Sequence, residues 1–181
     1  LSQIIPTKSS LYPKITWKSY INEKEGFSFK YPTDLIHIRL SRPRPLFEFC
    51  FDPDYIKCPF YVEIKETTYQ SEVLELDKEW RLMKENPNRI KFFDTYEDFE
   101  LSGETEIKGK KISGLAGTSG HPYLSVYFPA GERTFDLGID LSPVVDEKGY
   151  GETVFYQILS TFKFLDQKDD LTFDWKIYED E

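Results

Sequence analysis

Large apolar side chains alternate with small or polar ones along most of this chain, which is the period of a strand with one buried face. WKSYIN (17–22) and GFSFKYP (26–32) are separated by Glu23-Lys24-Glu25, and the second run sets Phe27, Phe29 and Tyr31 against Ser28 and Lys30. Together they predict a hairpin with one buried face. LIHIRL (35–40), LFEFCFD (46–52) and FYVEIKET (60–67) repeat the alternation, with Phe47, Phe49 and Phe51 on one side and Phe60, Val62 and Ile64 in the strand that follows. Pro43, Pro45, Pro53 and Pro59 fall between these runs. Proline removes a ladder donor, so they mark strand ends or edges. Four further runs, EDFELSG (97–103), TEIKGKKIS (105–113), PYLSVYF (122–128) and TFDLGIDL (134–141), continue the pattern, with PAGE (129–132) as the turn between the last two. In the final run Phe135, Leu137, Ile139 and Leu141 face one way, while Thr134, Asp136, Gly138 and Asp140 face the other.

The period changes to that of a helix in two places. Between Gly149 and Asp166, residues Phe155, Ile158, Leu159 and Phe162 recur at i, i+3, i+4 and i+7 and make one apolar stripe. Burying four such side chains yields roughly 6–12 kcal/mol before chain entropy is subtracted, enough to make this helix a lid on the core. From Ser71 to Asn86 a second stripe of Val73, Leu76, Trp80 and Met83 predicts a helix with Ser71 as its N-cap, stopped at Asn86-Pro87. Strands in blocks, with helices at the middle and end, predict an α+β fold built on an antiparallel sheet covered by helices. No internal repeat is visible, and 181 residues suit one domain with one core.

Composition narrows the function classes. The 15 Phe and 12 Tyr against a single Met favour strands packed on a helical layer. A formal charge of −9 repels nucleic acid and anionic lipid, so neither is expected as a partner. The densest basic cluster, Lys108, Lys110 and Lys111, flanks Gly109 and reads as a solvated hairpin tip. No apolar run approaches the ~20 residues of a membrane-spanning helix. The chain starts at Leu1, which fits a mature chain trimmed of a targeting segment and equally fits a cloning choice. Residues 1–16, with Pro6 and Pro13 among Ser, Thr and Lys, read as a tether.

Candidate chemistry is sparse. With His37 and His121 the only histidines, the choice of general base is narrow. His121 follows Ser119 in GLAGTSGHP, but no G-x-S-x-G elbow is present, and a glycine-rich turn before a strand is the simpler reading. Gly114, Gly117 and Gly120 miss the spacing of a phosphate loop and precede no helix. His37 lies on the face opposite Ile36 and Ile38, a half-buried or surface imidazole with no second ligand at metal spacing. Asp52-x-Asp54 and Asp169-Asp170 lack the glycine and distal glutamate of a calcium loop. No catalytic residue, metal site or cofactor is therefore assigned.

Trp17-x-x-Tyr20-x-Asn22, the following Gly26-Phe27-Ser28-Phe29-Lys30-Tyr31-Pro32, and Gln157-Ile158-Leu159-Ser160-Thr161-Phe162-Lys163-Phe164 resemble bacterial exported proteins and lipoproteins of the PsbP-like fold. The resemblance covers Trp17 to about Asp166 and is specific at both ends. It implies an α/β/α sandwich around a mainly antiparallel sheet over residues 17–166, export or lipid anchoring through a residue upstream of Leu1, and no established catalysis. Better-known relatives, the extrinsic photosystem II protein of chloroplasts and a Ran-binding factor, act by docking on partners. None of their contact or metal-binding residues can be placed on this chain. The expectation is a non-catalytic, monomeric accessory or interaction domain of the cell envelope, periplasmic or extracellular, with an unknown protein partner. The alternative is a hydrolase-type enzyme built around His121.

Two features go with that context. Cys50 and Cys58 are the only cysteines and bracket the turn-like Asp52-Pro53-Asp54, so an oxidising compartment allows a disulfide between them, while a reducing one leaves two buried thiols. Residues 167–181 extend past the resemblance. Leu171, Phe173, Trp175 and Ile177 alternate there with Thr172, Asp174 and Lys176, a docking-strand pattern for this sheet, another copy or a partner. A disordered terminus is the remaining alternative.

Overall fold

The computed structural model describes residues 15–41, 46–51, 58–86, 93–116, 120–142 and 151–165. The predicted first hairpin is present, as strands β1 (Trp17–Asn22) and β2 (Phe27–Pro32). Chain order then gives β3 (His37–Ser41), β4 (Leu46–Cys50), β5 (Phe60–Lys65) and helix α1 (Tyr69–Glu85). These are followed by β6 (Thr95–Leu101), β7 (Ile107–Ala116), β8 (His121–Ala130), β9 (Arg133–Asp140), helix α2 (Glu152–Ser160) and the short β10 (Lys163–Phe164).

Among the described residues two antiparallel sheets result, a seven-stranded one in the order β3-β4-β5-β9-β8-β7-β6 and a three-stranded one in the order β1-β2-β10. Sheet dominates, so the expected single sheet flanked by helices holds in part: the strands are antiparallel and both helices pack on the large sheet, but a second sheet shares the cover. Phe27 and Phe29 of β2 meet Phe47, Phe49, Phe60 and Phe135 of the large sheet at ring separations of 5.3–5.7 Å, which seats the small sheet on its face. Val154, Phe155, Ile158 and Leu159 of α2 are buried in the same cluster. The other face of the large sheet carries α1, whose Met83 joins Phe93, Ile112 and Tyr127 in a second, smaller cluster.

Local chemistry explains the element ends and several departures from the sequence pattern. Helix α1 starts ahead of the expected position. Its N-cap is Thr68, whose Oγ1 accepts from the Ser71 backbone N–H at 3.3 Å. Ser71 is thus the residue being capped. Helix α2 ends at Ser160, so Phe162 lies beyond it, yet Phe162 is fully buried because the chain turns back at once into β10. Its ring stacks on Phe27 and Phe29 and meets Phe128 and Phe135 edge-on. Lys108, Lys110 and Lys111 do not form a hairpin tip. They lie inside β7 and pair across the ladder with Glu100, Asp98 and Glu97 at 3.5, 2.7 and 2.6 Å. Gly109 sits mid-strand, where a Cβ would strike the Tyr127 carbonyl. Gly131, with φ 62°, makes the tight turn between β8 and β9 inside the predicted PAGE segment. The fold also gathers residues ahead of Trp17, since Ile15 packs on the core and Thr33 N–H donates to Thr16 O at 3.0 Å.

Phe162 occupies the centre of the aromatic cluster, whereas Phe164, two residues on, is 39% exposed. Phe162→Ala is expected to cost about 3–5 kcal/mol in urea unfolding, and Phe164→Ala clearly less. Equal losses would show that the centre of the core lies elsewhere.

Candidate functional site

The most unusual chemistry lies on the polar face of strand β9. Thr134, Asp136 and Gly138 of β9 share the face opposite Phe135, Leu137 and Ile139, as the alternation predicts, and Thr134 and Asp136 there are 0% and 3% exposed. Strand β9 is the middle strand of the large sheet, with β5 and β8 on its two sides, so its second face is roofed by neighbouring side chains. The Asp136 Oδ1 accepts from Tyr61 Oη at 3.3 Å and from Ser125 Oγ, and those two hydroxyls are 3.2 Å apart. The Tyr127 hydroxyl, on the strand position paired with Asp136, also bonds to the carboxylate. Gly138 permits this arrangement, because a Cβ there would collide with the Tyr61 ring that crosses it to reach Asp136. Burial pushes the Asp136 carboxyl up to about 6, opposed by the Ser125 hydrogen bond and by the nearby Lys65. Tyr61 and Tyr127 are raised well above the usual phenol range, first by burial and then by the Asp136 charge.

Every buried side-chain nitrogen or oxygen among the described residues has a hydrogen-bond partner. The network is thus a satisfied polar layer under α1. Two links bind it to the helix and the loop before it: Thr134 Oγ1 donates to Thr67 O at 2.9 Å, and Lys65 Nζ pairs with Glu72 Oε2 of the first helical turn at 3.1 Å. Sequence signals for the network existed. A mid-strand Gly138 next to Asp136, with Tyr61, Ser125 and Tyr127 all on the non-phenylalanine face of adjacent strands, marks a close approach of polar groups.

The second region is the sheet edge at β3. Among the described residues β3 pairs in the sheet with β4 and stands at one end of the strand order. Leu40 of β3 and Ile36 just before it are 42% and 59% exposed, and the partly buried Ile38 between them packs against the core. On the reverse face Arg39 makes a bidentate pair with Glu48 at 2.5 Å. The opposite edge differs. Its strand β6 carries the acid partners of the β7 lysines, a charged ladder that discourages further pairing.

His121 opens β8 and is half exposed, with Nδ1 3.7 Å from Asp140 Oδ2, too long for a hydrogen bond. Ser119 lies outside the described residues. His37 is half-buried and pairs in register with Cys50. Cys50 and Cys58 are joined as a disulfide that spans the connection from β4 to β5, with the Cys50 side fully buried. Asp52, Asp54, Asp169 and Asp170 lie outside the described residues, as do the docking-strand residues Leu171, Phe173, Trp175 and Ile177. Among the described residues no group of three or more His, Cys, Asp or Glu side chains is arranged to hold a metal ion, and no helix is long and apolar enough to cross a membrane.

No protein-family model matches the chain, and no curated protein matches it. Eight solved chains do match in structure. One of them is the solution structure of cyanobacterial PsbP (CyanoP) from Synechocystis sp. PCC 6803, with a TM-score of 0.50 and 13% sequence identity, over 88% of this chain and 98% of that one. At that identity the likeness concerns the fold alone, and the chain has a PsbP-like fold.

Proposed function

We propose that this chain is a non-catalytic docking domain of an exported protein, an accessory module of the cell envelope that binds an extended segment of a protein partner along β3. The supporting observation is the contrast between the two edges of the large sheet. Strand β6 is guarded by acids paired with lysines, while β3 continues the apolar face of the core outward through Ile38 to exposed Ile36 and Leu40. A strand added there would gain main-chain hydrogen bonds and place its own alternate apolar side chains beside that row. The partner segment is therefore one with apolar residues at every second position. A disulfide between Cys50 and Cys58 suits an oxidising compartment, periplasmic or extracellular, and the relatives that the sequence resembles also act by docking.

The test is a panning of displayed random peptides on the intact domain, repeated with Leu40→Lys. Leu40 is exposed, so the substitution should leave stability within about 0.5 kcal/mol. Peptides of alternating apolar pattern should bind the parent at least tenfold more tightly than the variant and protect 37–41 from hydrogen exchange. Binders that protect other segments, or that ignore the substitution, would remove the assignment.

A hydrolase centred on His121 has one observation in its favour, the Asp140 carboxylate 3.7 Å from the imidazole. The docking reading predicts that His121→Ala leaves any ester, phosphate or peptide turnover of the purified protein unchanged. Turnover that vanishes in the variant while its circular dichroism stays intact would turn the assignment toward the enzyme.

A further inference from the structure

We propose that Asp136 is a proton-binding switch set into the sheet, and that proton uptake there tightens the hold of α1 on the strands beneath it. The geometry requires a charged or neutral choice at this position. Asp136 is almost wholly enclosed, and when ionised its charge is balanced by hydroxyl donors from Tyr61, Ser125 and Tyr127 and by the attraction of Lys65. Lys65 is shared, because the same ammonium group pairs with Glu72 in the first turn of α1 and lies 4.9 Å from the Tyr127 ring centroid. A proton taken from solvent by the Asp136 carboxylate removes the buried charge. The pull of Lys65 then falls on the helix. Tyr127 transmits the same change, since it bonds to Asp136 and also packs with Met83 of α1.

Charged and titratable groups surround Asp136 from the neighbouring strands and from the α1 side. From β5 it is faced by Glu63, its register partner, and by Lys65; from β8 by Tyr127 and Tyr123. Lys110 of β7 is paired with Asp98 of β6, and on the α1 side Glu72 is held by Lys65 while Asp77 accepts from Tyr96 at 2.6 Å. No histidine belongs to this set. Burial raises the Asp136 carboxyl from 3.8 to about 6, so the folded chain binds this proton more tightly than the unfolded one. The associated stability is fully present below the unfolded value and is lost as pH rises through about 6.

Met83 is the single methionine and lies in the cluster under α1, so methyl-13C methionine labelling gives one reporter resonance at the place where the switch should act. In the full chain that resonance should shift between pH 4.5 and 8 with a midpoint near 6, and in Asp136→Asn it should stay still. A resonance that does not move in the parent, or that moves equally in both proteins, overturns the proposal. A direct 13C-carboxyl titration of Asp136 in the unsubstituted protein needs no variant. A midpoint near 6 supports the proposal, and one below 4.5 overturns it.

Discussion

The structure depends on strand β9 being buried on both of its faces. One face gives Phe135, Leu137 and Ile139 to the aromatic core, and the other gives Thr134, Asp136 and Gly138 to a polar layer that water does not reach. A carboxylate in such a place is tolerated only with partners, and the neighbouring strands bring three hydroxyls to it. That requirement dictates Tyr61 on β5, Ser125 and Tyr127 on β8, and a residue without a side chain at 138. It also ties α1 to the sheet, because Lys65 and Thr134 reach from the same layer to the helix and the loop before it.

The remaining architecture follows from what the other face of the sheet demands. An apolar surface as rich in phenylalanine as this one needs a broad cover, and nine-residue α2 supplies only part of it. The hairpin β1–β2 and the short β10 complete the cover, with Phe162 driven into the middle where rings from both sheets converge. The cover is uneven at its margins. At β6 the sheet ends in paired charges, and at β3 it ends in aliphatic side chains still half in water. That asymmetry is the physical basis for reading β3 as the docking side.

Much of the fold was legible because alternation is a strong signal where one face is apolar. Phe27, Phe29 and Tyr31, then Phe47 and Phe49, then Phe60, Val62 and Ile64 mark their strands and their buried sides without ambiguity. At 134, 136 and 138 the same rule says that these residues share the second face of β9 and not whether that face is covered. A helix far away in sequence provides that cover. The lysines of β7 did mislead: three charges around a glycine look like a turn until the acids of β6 are laid beside them. The stripe of Phe155, Ile158, Leu159 and Phe162 was right about burial and wrong about helix length, since Phe162 keeps its place in the core after the helix has ended. The candidate edge at β3 depends on strand order, which pattern alone does not contain.

The burial of a carboxyl group beneath α1 is tested most directly by paired urea unfolding of the parent and Asp136→Asn across pH 4 to 8. The two should be equally stable near pH 4, and the variant should gain on the parent through pH 6 to a plateau. For a carboxyl displaced from 3.8 to about 6 that plateau is on the order of 3 kcal/mol at most. A stability difference that does not change with pH, or one that grows as pH falls, would contradict it.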